Sequence, residues 1–221
     1  MAVIEVEYSG PIAVVVLNKP SKLNALTKDE FYQLARTLQE EILFSVRSFY
    51  TYLIYCGADV SVSRQMSEGT DLYRHNWTVT VASNMNLARA FYTHPKILVV
   101  ALNGPVVGMA ASLIAFAGFI YCTRETYLLT LFATLGLKSE GVSSIAFAER
   151  MGISKANEAL ILAKRISSKE LLEAGFVNQI FNCPAESLRS EALKEVKGRF
   201  RDGLHASSML QIKKGTGRSE C

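Results

Sequence analysis

The chain has 221 residues, of which 49% are hydrophobic and 20% are charged, proportions that are typical of a globular protein and exclude a disordered one. The formal net charge of +4 is mild, and aromatic residues do not interleave with basic runs, so no nucleic acid partner is expected. The four cysteines form no CxxC pair, which argues against a zinc site and favours reduced thiols.

The predicted elements begin with a β-hairpin. Two apolar runs, Ile4 to Tyr8 and Ile12 to Leu17, flank a Ser-Gly-Pro turn. Thr27 and Glu30 then form a capping-box pattern. Apolar residues follow at helical spacing, which predicts a helix from Lys28 to Leu43.

A strand, a loop and a helix are predicted next. Aromatic and β-branched residues favour a strand from Phe49 to Tyr55, and the polar stretch 61–76 favours a loop. The helix runs from Val79 to Tyr92 and ends at His94-Pro95. Its predicted apolar stripe comprises Val81, Met85, Ala88 and Phe91.

The centre of the chain predicts a strand, a corner and a helix. The apolar run Ile97 to Leu102 stops at Asn103-Gly104-Pro105, and small, helix-tolerant residues follow Gly108. Residues 97–121 carry no charged side chain, so a membrane span is one alternative, but the Asn-Gly-Pro sequence argues against it. An ordinary buried corner of an α/β fold is the other alternative. Amide groups at such a helix start favour an oxyanion.

The remaining chain predicts further strands and helices. A second capping box, Ser167 with Glu170, starts a helix that Gly175 ends. The tail from Lys213 is predicted to fray. The other predicted strands are Phe119 to Cys122, Tyr127 to Leu131 and Phe176 to Phe181, and the other predicted helices are 143–151, 155–164 and 185–200.

Three segments, taken in order, carry a resemblance to a known family. Each follows a predicted strand: 56–60 (CGADV), 103–109 (NGPVVGM) and 135–141 (LGLKSEG). Together with the opening pattern at 12–27 (IAVVVLNKPSKLNALT), they resemble the crotonase (enoyl-CoA hydratase/isomerase) superfamily. Glu140, in its Ser-Glu-Gly setting, is similar to fungal peroxisomal Δ3,Δ2-enoyl-CoA isomerases and to isomerase/hydratases of fungal polyketide-toxin clusters.

The resemblance implies an α/β crotonase (ClpP-like) fold of repeated ββα units. The core would be residues 1–184, and 185–221 would be a C-terminal helical segment shorter than in relatives, with a poorly defined oligomer as the expected result. Relatives form trimers or hexamers and act on acyl-CoA thioesters, with no cofactor apart from the CoA of the substrate. The resemblance also implies the peroxisome, although the last three residues, Ser-Glu-Cys, are not a peroxisomal signal of the Ser-Lys-Leu type. A cytoplasmic location is the alternative.

The resemblance also assigns roles to residues. Glu140 would be the general base, with a surface carboxylate as the alternative interpretation. The backbone N–H groups of Ala58 and Met109 would form the oxyanion hole. Lys22 would face a phosphate of CoA, or would be an ordinary solvated lysine. The substrate-binding residues would be Lys22, Ala25, Cys56, Gly57, Ala58, Asp59, Val60, Gly108 and Met109.

The expected reaction is isomerisation, in fatty-acid β-oxidation or in toxin biosynthesis. Hydratases of the family use two glutamates, whereas this chain has Ser112 at one position and Leu131 or Phe132 at the other. Adding water needs one group to activate it and another to protonate carbon, so a single glutamate is poorly equipped. The alternatives are an enoyl-CoA hydratase and a truncated, catalytically impaired homologue that binds CoA. The segment 44–56 is shorter than the corresponding segment of the family, which favours the impaired homologue.

Overall fold

The computed structural model describes residues 3–22, 24–44, 50–54, 71–75, 77, 81–200 and 204–216. Its strands are β1 (Ile4–Ser9), β2 (Ile12–Leu17), β3 (Tyr50–Ile54), β4 (Ile97–Leu102), β5 (Val106–Val107), β6 (Phe119–Thr123), β7 (Tyr127–Leu129), β8 (Ile166–Ser167) and β9 (Gln179–Phe181). Its α-helices are α1 (Lys28–Phe44), α2 (Leu72–His75), α3 (Ala82–Tyr92), α4 (Met109–Ile114), α5 (Ser143–Leu160), α6 (Ser168–Glu173), α7 (Leu188–Arg199) and α8 (Ala206–Thr216). The predicted site residues Cys56, Gly57, Ala58, Asp59 and Val60 lie outside the described residues.

Two sheets organise the fold. The larger has the strand order β1-β2-β3-β4-β6-β9, in which the β1–β2 hairpin is antiparallel and every later pair is parallel. The smaller has the order β5-β7-β8. Parallel neighbours need crossover connections, which helices supply here. The predicted α/β class is therefore confirmed.

Helices cover both faces of the larger sheet. Successive side chains of a strand point to opposite faces, and in β4 Leu98 and Val100 join one hydrophobic cluster while Val99 and Ala101 join the other. The first cluster includes residues of α1, α3, α4 and α5, and the second includes residues of α7 and α8. The strand β4 is buried along its whole length, as a near-continuous apolar run requires.

Both predicted capping boxes are present. The Thr27 amide donates to Glu30 Oε2 over 2.6 Å, and the Glu30 amide donates back to Thr27 Oγ1 over 3.3 Å. Ser167 and Glu170 exchange the same pair of bonds at the start of α6. These local patterns fix helix starts because they satisfy amides that the helix itself leaves unpaired.

Several predicted elements differ from the structure. Residues 72–75 are helical, within a stretch predicted as a loop. The predicted helices 143–151 and 155–164 form one element, α5, with a kink at Gly152. The strand β9 starts only at Gln179, because the amides of Phe176 and Val177 donate to the Leu171 carbonyl and close α6.

Another difference concerns the tail. Helix α8 continues to Thr216, and Lys213 Nζ donates to the backbone carbonyls of His94 and Lys96, just before β4. The prediction that fraying begins at Lys213 is therefore wrong for residues 213–216, and residues 217–221 lie outside the described residues. No described helix is long and apolar enough to cross a membrane. The division of the chain at residue 184 stays a prediction.

Candidate active site

The predicted corner between β4 and α4 is present. The chain bends at Asn103 and Gly104, and the short strand β5 leads to Gly108, which has a φ of +65° and a ψ of −135°. Glycine enters this region without the steric penalty of a side chain. Met109 is the first residue of α4 and is buried. The first amides of a helix have no acceptor within it, so the Met109 N–H has no partner inside α4.

Glu140 stands in a tight turn before α5. The Ser143 amide donates to the Glu140 carbonyl over 3.2 Å, and the two central residues, Gly141 and Val142, have φ angles of +62° and +60°. Two left-handed residues in succession are the pattern of a type I′ turn. The turn fixes the direction in which the Glu140 side chain leaves the backbone.

This turn packs directly against α4. A Cβ placed on Gly141 would lie 2.9 Å from Ser112 Cβ and 3.7 Å from Met109 Cγ. Only glycine permits such an approach, because real Cβ atoms do not come so near a neighbouring carbon. The fold thus brings together two of the three segments on which the sequence interpretation rests, and the third lies outside the described residues.

Asn84 is a site residue that sequence reasoning missed. Its Nδ2 donates to Glu140 Oε2 over 3.4 Å. Met85, predicted as part of an apolar core stripe, is instead 65% exposed, so this prediction was wrong. Both residues line a cavity of about 280 Å³ beside Glu140. The described residues lining this cavity are Val81, Asn84, Met85, Ala88, Glu140, Gly141 and Val142.

The comparison with known proteins decides the family. The family described as enoyl-CoA hydratase/isomerase matches residues 7–213. The chain belongs to the enoyl-CoA hydratase/isomerase family. The predicted crotonase membership is therefore confirmed.

Individual relatives agree with this family. The chain is 40% identical to the Delta(3,5)-Delta(2,4)-dienoyl-CoA isomerase of Pyricularia oryzae, over 97% of this chain and 84% of the relative. It is 29% identical to the 3,2-trans-enoyl-CoA isomerase of Saccharomyces cerevisiae, over 96% and 80%. A crystal structure of an enoyl-CoA hydratase/isomerase from Pseudoalteromonas atlantica superposes with a TM-score of 0.79 at 21% identity, over 96% and 82%, which confirms the fold.

The alignment with the Pyricularia relative also shows whether this chain is shorter than the relative within the region that they share. It spans 234 positions, more than the 221 residues of the whole chain. This chain therefore lacks residues that the relative has within the matched region. The predicted shortening near 44–56 falls mostly outside the described residues, so its position stays a prediction.

The surroundings of Glu140 suit the proton chemistry of the family. Burial raises the pKa of the Glu140 carboxyl above its ordinary value, because desolvation disfavours the charged form. No lysine, arginine or histidine is among the described residues that line the cavity. A carboxyl with a raised pKa works as a base and, once protonated, as an acid.

The described residues of the predicted CoA-binding loop, 19–22 and 24–25, are joined by hydrogen bonds of their own. Lys22 ends a 3₁₀ turn, Pro20–Lys22, and is exposed, and the Ala25 amide donates to the Lys22 carbonyl over 2.9 Å. Asn24 Oδ1 accepts from the Lys19 amide over 2.6 Å, which closes the loop. An exposed ammonium on a fixed turn suits a phosphate ligand. The substrate-binding roles of Lys22, Ala25 and Gly108 stay predictions.

Proposed function

We propose that this chain is an enoyl-CoA isomerase that moves a double bond from position 3 to position 2 of an acyl-CoA thioester. The observation that carries the proposal is the contact between the Glu140 turn and the start of α4 at Gly141, Met109 and Ser112. It sets one carboxylate beside a helix start, where an amide without an acceptor in the helix is suited to stabilising an oxyanion. The names of the relatives, both of them isomerases, support it.

In the proposed reaction Glu140 carries one proton. Its carboxylate removes a proton from C2, the C–H electrons form the enolate of the thioester, and charge collects on the thioester oxygen. The Met109 N–H stabilises this charge, with the Ala58 N–H as the proposed second donor. Protonated Glu140 then returns the proton to C4, so the double bond ends between C2 and C3. Asn84 holds the Glu140 carboxylate by its hydrogen bond.

Hydration of a 2-enoyl-CoA is disfavoured by the residues around Glu140. Glu140 is the one carboxylate among the described residues that line the cavity. Ser112 is buried and carries no carboxylate. Neither Leu131 nor Phe132 carries one, and Phe132 is buried. Because neither position supplies a second acid to activate water, we expect hydration to be far slower than isomerisation.

Isomerisation of a 3,5-dienoyl-CoA is the second candidate. The name of the Pyricularia relative favours it. That reaction removes the proton at C2 but returns one at C6, twice as far along the acyl chain as C4. A single carboxylate fixed in a turn suits the shorter transfer better, since a proton moves only between groups within hydrogen-bond reach.

The setting of the reaction is part of the proposal. Fatty-acid metabolism fits the family, and peroxisomal location, a role in toxin biosynthesis and a trimeric or hexameric assembly are predictions from the resemblance. Each can be tested separately from the chemistry, by imaging, by gene deletion and by light scattering.

One assay tests the proposal and its rivals. The purified chain is incubated separately with 3-hexenoyl-CoA, 2-hexenoyl-CoA and 3,5-octadienoyl-CoA, and the products are identified by mass and absorbance. We expect 2-hexenoyl-CoA to form fastest. Faster formation of 3-hydroxyhexanoyl-CoA, or of 2,4-octadienoyl-CoA, would replace the proposal by hydration or dienoyl isomerisation. CoA-thioester binding without any turnover would support the impaired homologue.

A further inference from the structure

The turn that holds Glu140 contains a strained residue. Val142 has a φ of +60° and a ψ of +21°, a left-handed conformation that β-branched residues rarely adopt. Glycine and asparagine are favoured at this position of a type I′ turn, because they enter the region with little strain. Such strain persists where the surrounding structure imposes it, and it clusters at functional sites.

The side chain of Val142 does not offset this strain by filling the core. It is 46% exposed, whereas Ser143 and Ala146 of the following helix α5 are buried. It lies instead on the wall of the Glu140 cavity, together with Val81 and Met85. The strained backbone therefore serves to place an isopropyl group beside the base.

We propose that Val142 is a specificity-determining residue. It narrows the cavity beside Glu140, where the acyl chain of the substrate would lie, and so selects unbranched acyl chains. The inference rests on the proposed function. The cavity is small, about 280 Å³, and a methyl branch near the reacting carbons would need the space that the isopropyl group fills. A difference of one methylene in an apolar pocket changes the rate roughly 10- to 200-fold.

The same side chain keeps water from the carboxylate. Glu140 owes its raised pKa to burial, and Val142 lines the same cavity. A smaller residue would let water hydrate the carboxylate, which favours the charged form and lowers its pKa. Because the base acts when deprotonated, the acid limb of the rate profile would then move to lower pH.

Two substitutions separate the side chain from the strain. Val142→Gly removes the isopropyl group and relaxes the backbone, whereas Val142→Ala removes the same methyl groups but keeps a Cβ in the strained region. Ile145→Ala is the matched control, because Ile145 is also an exposed aliphatic residue of α5 but is not among the residues that line the cavity. All variants are made in the full chain.

The measurements compare straight and branched chains. The value of kcat/KM is determined for 3-hexenoyl-CoA and for 5-methyl-3-hexenoyl-CoA across pH, and Kd is determined by calorimetry for hexanoyl-CoA and 5-methylhexanoyl-CoA. We expect both Val142 variants to raise the branched-to-straight ratio of kcat/KM roughly tenfold or more and to move the acid limb to lower pH. We expect Val142→Gly alone to raise Tm, and Ile145→Ala to leave the ratio unchanged.

Each other outcome decides one claim. A raised Tm in Val142→Gly with an unchanged ratio and pH limb would make Val142 only a strained turn residue and overturn the inference. If the wild-type chain binds these thioesters but does not isomerise them, a shifted Kd ratio supports the inference while the proposed function fails. An unchanged Kd ratio in that case, or no binding at all, overturns both.

Discussion

The Gly141→Ala substitution probes the contact on which the site depends. Gly141 has a φ of +62°, and an added Cβ would lie 2.9 Å from Ser112 Cβ. The left-handed conformation costs an alanine about 1–2 kcal/mol. Overpacking a buried contact by one methyl group costs about 1–3 kcal/mol more.

We therefore expect Gly141→Ala to lower the free energy of unfolding by about 2–5 kcal/mol. In a chain of this size each kcal/mol lowers Tm by about 2–4 °C. Activity should fall as well, because relief of the clash moves the turn away from α4 and takes Glu140 with it. Urea denaturation followed by circular dichroism measures the stability, and 3-hexenoyl-CoA turnover measures the activity.

Gly136→Ala is the matched control. Gly136 has nearly the same conformation, with a φ of +67°, but an added Cβ would meet nothing within 4 Å. It should lose only the conformational part, about 1–2 kcal/mol. Equal losses in the two variants, or a loss in Gly141→Ala below about 0.5 kcal/mol, would show that the Glu140 turn does not pack on Ser112 as described.

Three further predictions concern the surroundings of the site and the pH dependence of stability. Asn84→Leu removes the hydrogen-bond donor to the Glu140 carboxylate, so the pKa of Glu140 should rise further. The acid limb of the pH profile of kcat/KM should therefore move to higher pH. An acid limb at the wild-type pH would exclude a role of Asn84 in setting the pKa of Glu140. Ser112→Ala removes a buried hydroxyl that has no hydrogen-bond partner among the described residues. It should leave the free energy of unfolding unchanged or raise it by about 1–3 kcal/mol. A loss above about 1 kcal/mol would show that the Ser112 hydroxyl does make a stabilising hydrogen bond. The Ser167 amide and hydroxyl hold the pKa of Glu170 at about 2, below its ordinary value. The stability that this carboxylate contributes is therefore present above about pH 4.5 and is lost as pH falls toward 2. In Glu170→Gln this part of the acid dependence of stability should disappear.

The sequence predicted best what depends on neighbouring residues. The hairpin, both capping boxes and the strand-to-helix corner at Gly108 follow from local turn and cap chemistry. The apolar run Ile97 to Leu102 also identified the central strand, because only a strand covered on both faces is apolar throughout.

Contacts between distant residues could not be predicted in the same way. Asn84 and Glu140 are 56 positions apart, and no local pattern marks an asparagine that reaches a carboxylate in a distant turn. Met85 is another example. Helical spacing indicated a core residue, but the side chain lines the cavity beside Glu140 and is exposed. The left-handed backbone of Val142 could not be predicted from the sequence either, because valine rarely adopts this conformation, whereas a glycine would have indicated it.

The central claim is that one carboxylate, Glu140, carries the proton from C2 to C4. Its most direct test is the turnover of 3-hexenoyl-CoA by Glu140→Gln, with Glu125→Gln, an exposed acid, as the matched control. We expect a loss of about 10²- to 10⁴-fold in kcat with little change in Kd, because the substitution leaves the backbone amides that we propose for the thioester oxygen untouched. Near wild-type turnover by Glu140→Gln would contradict the account.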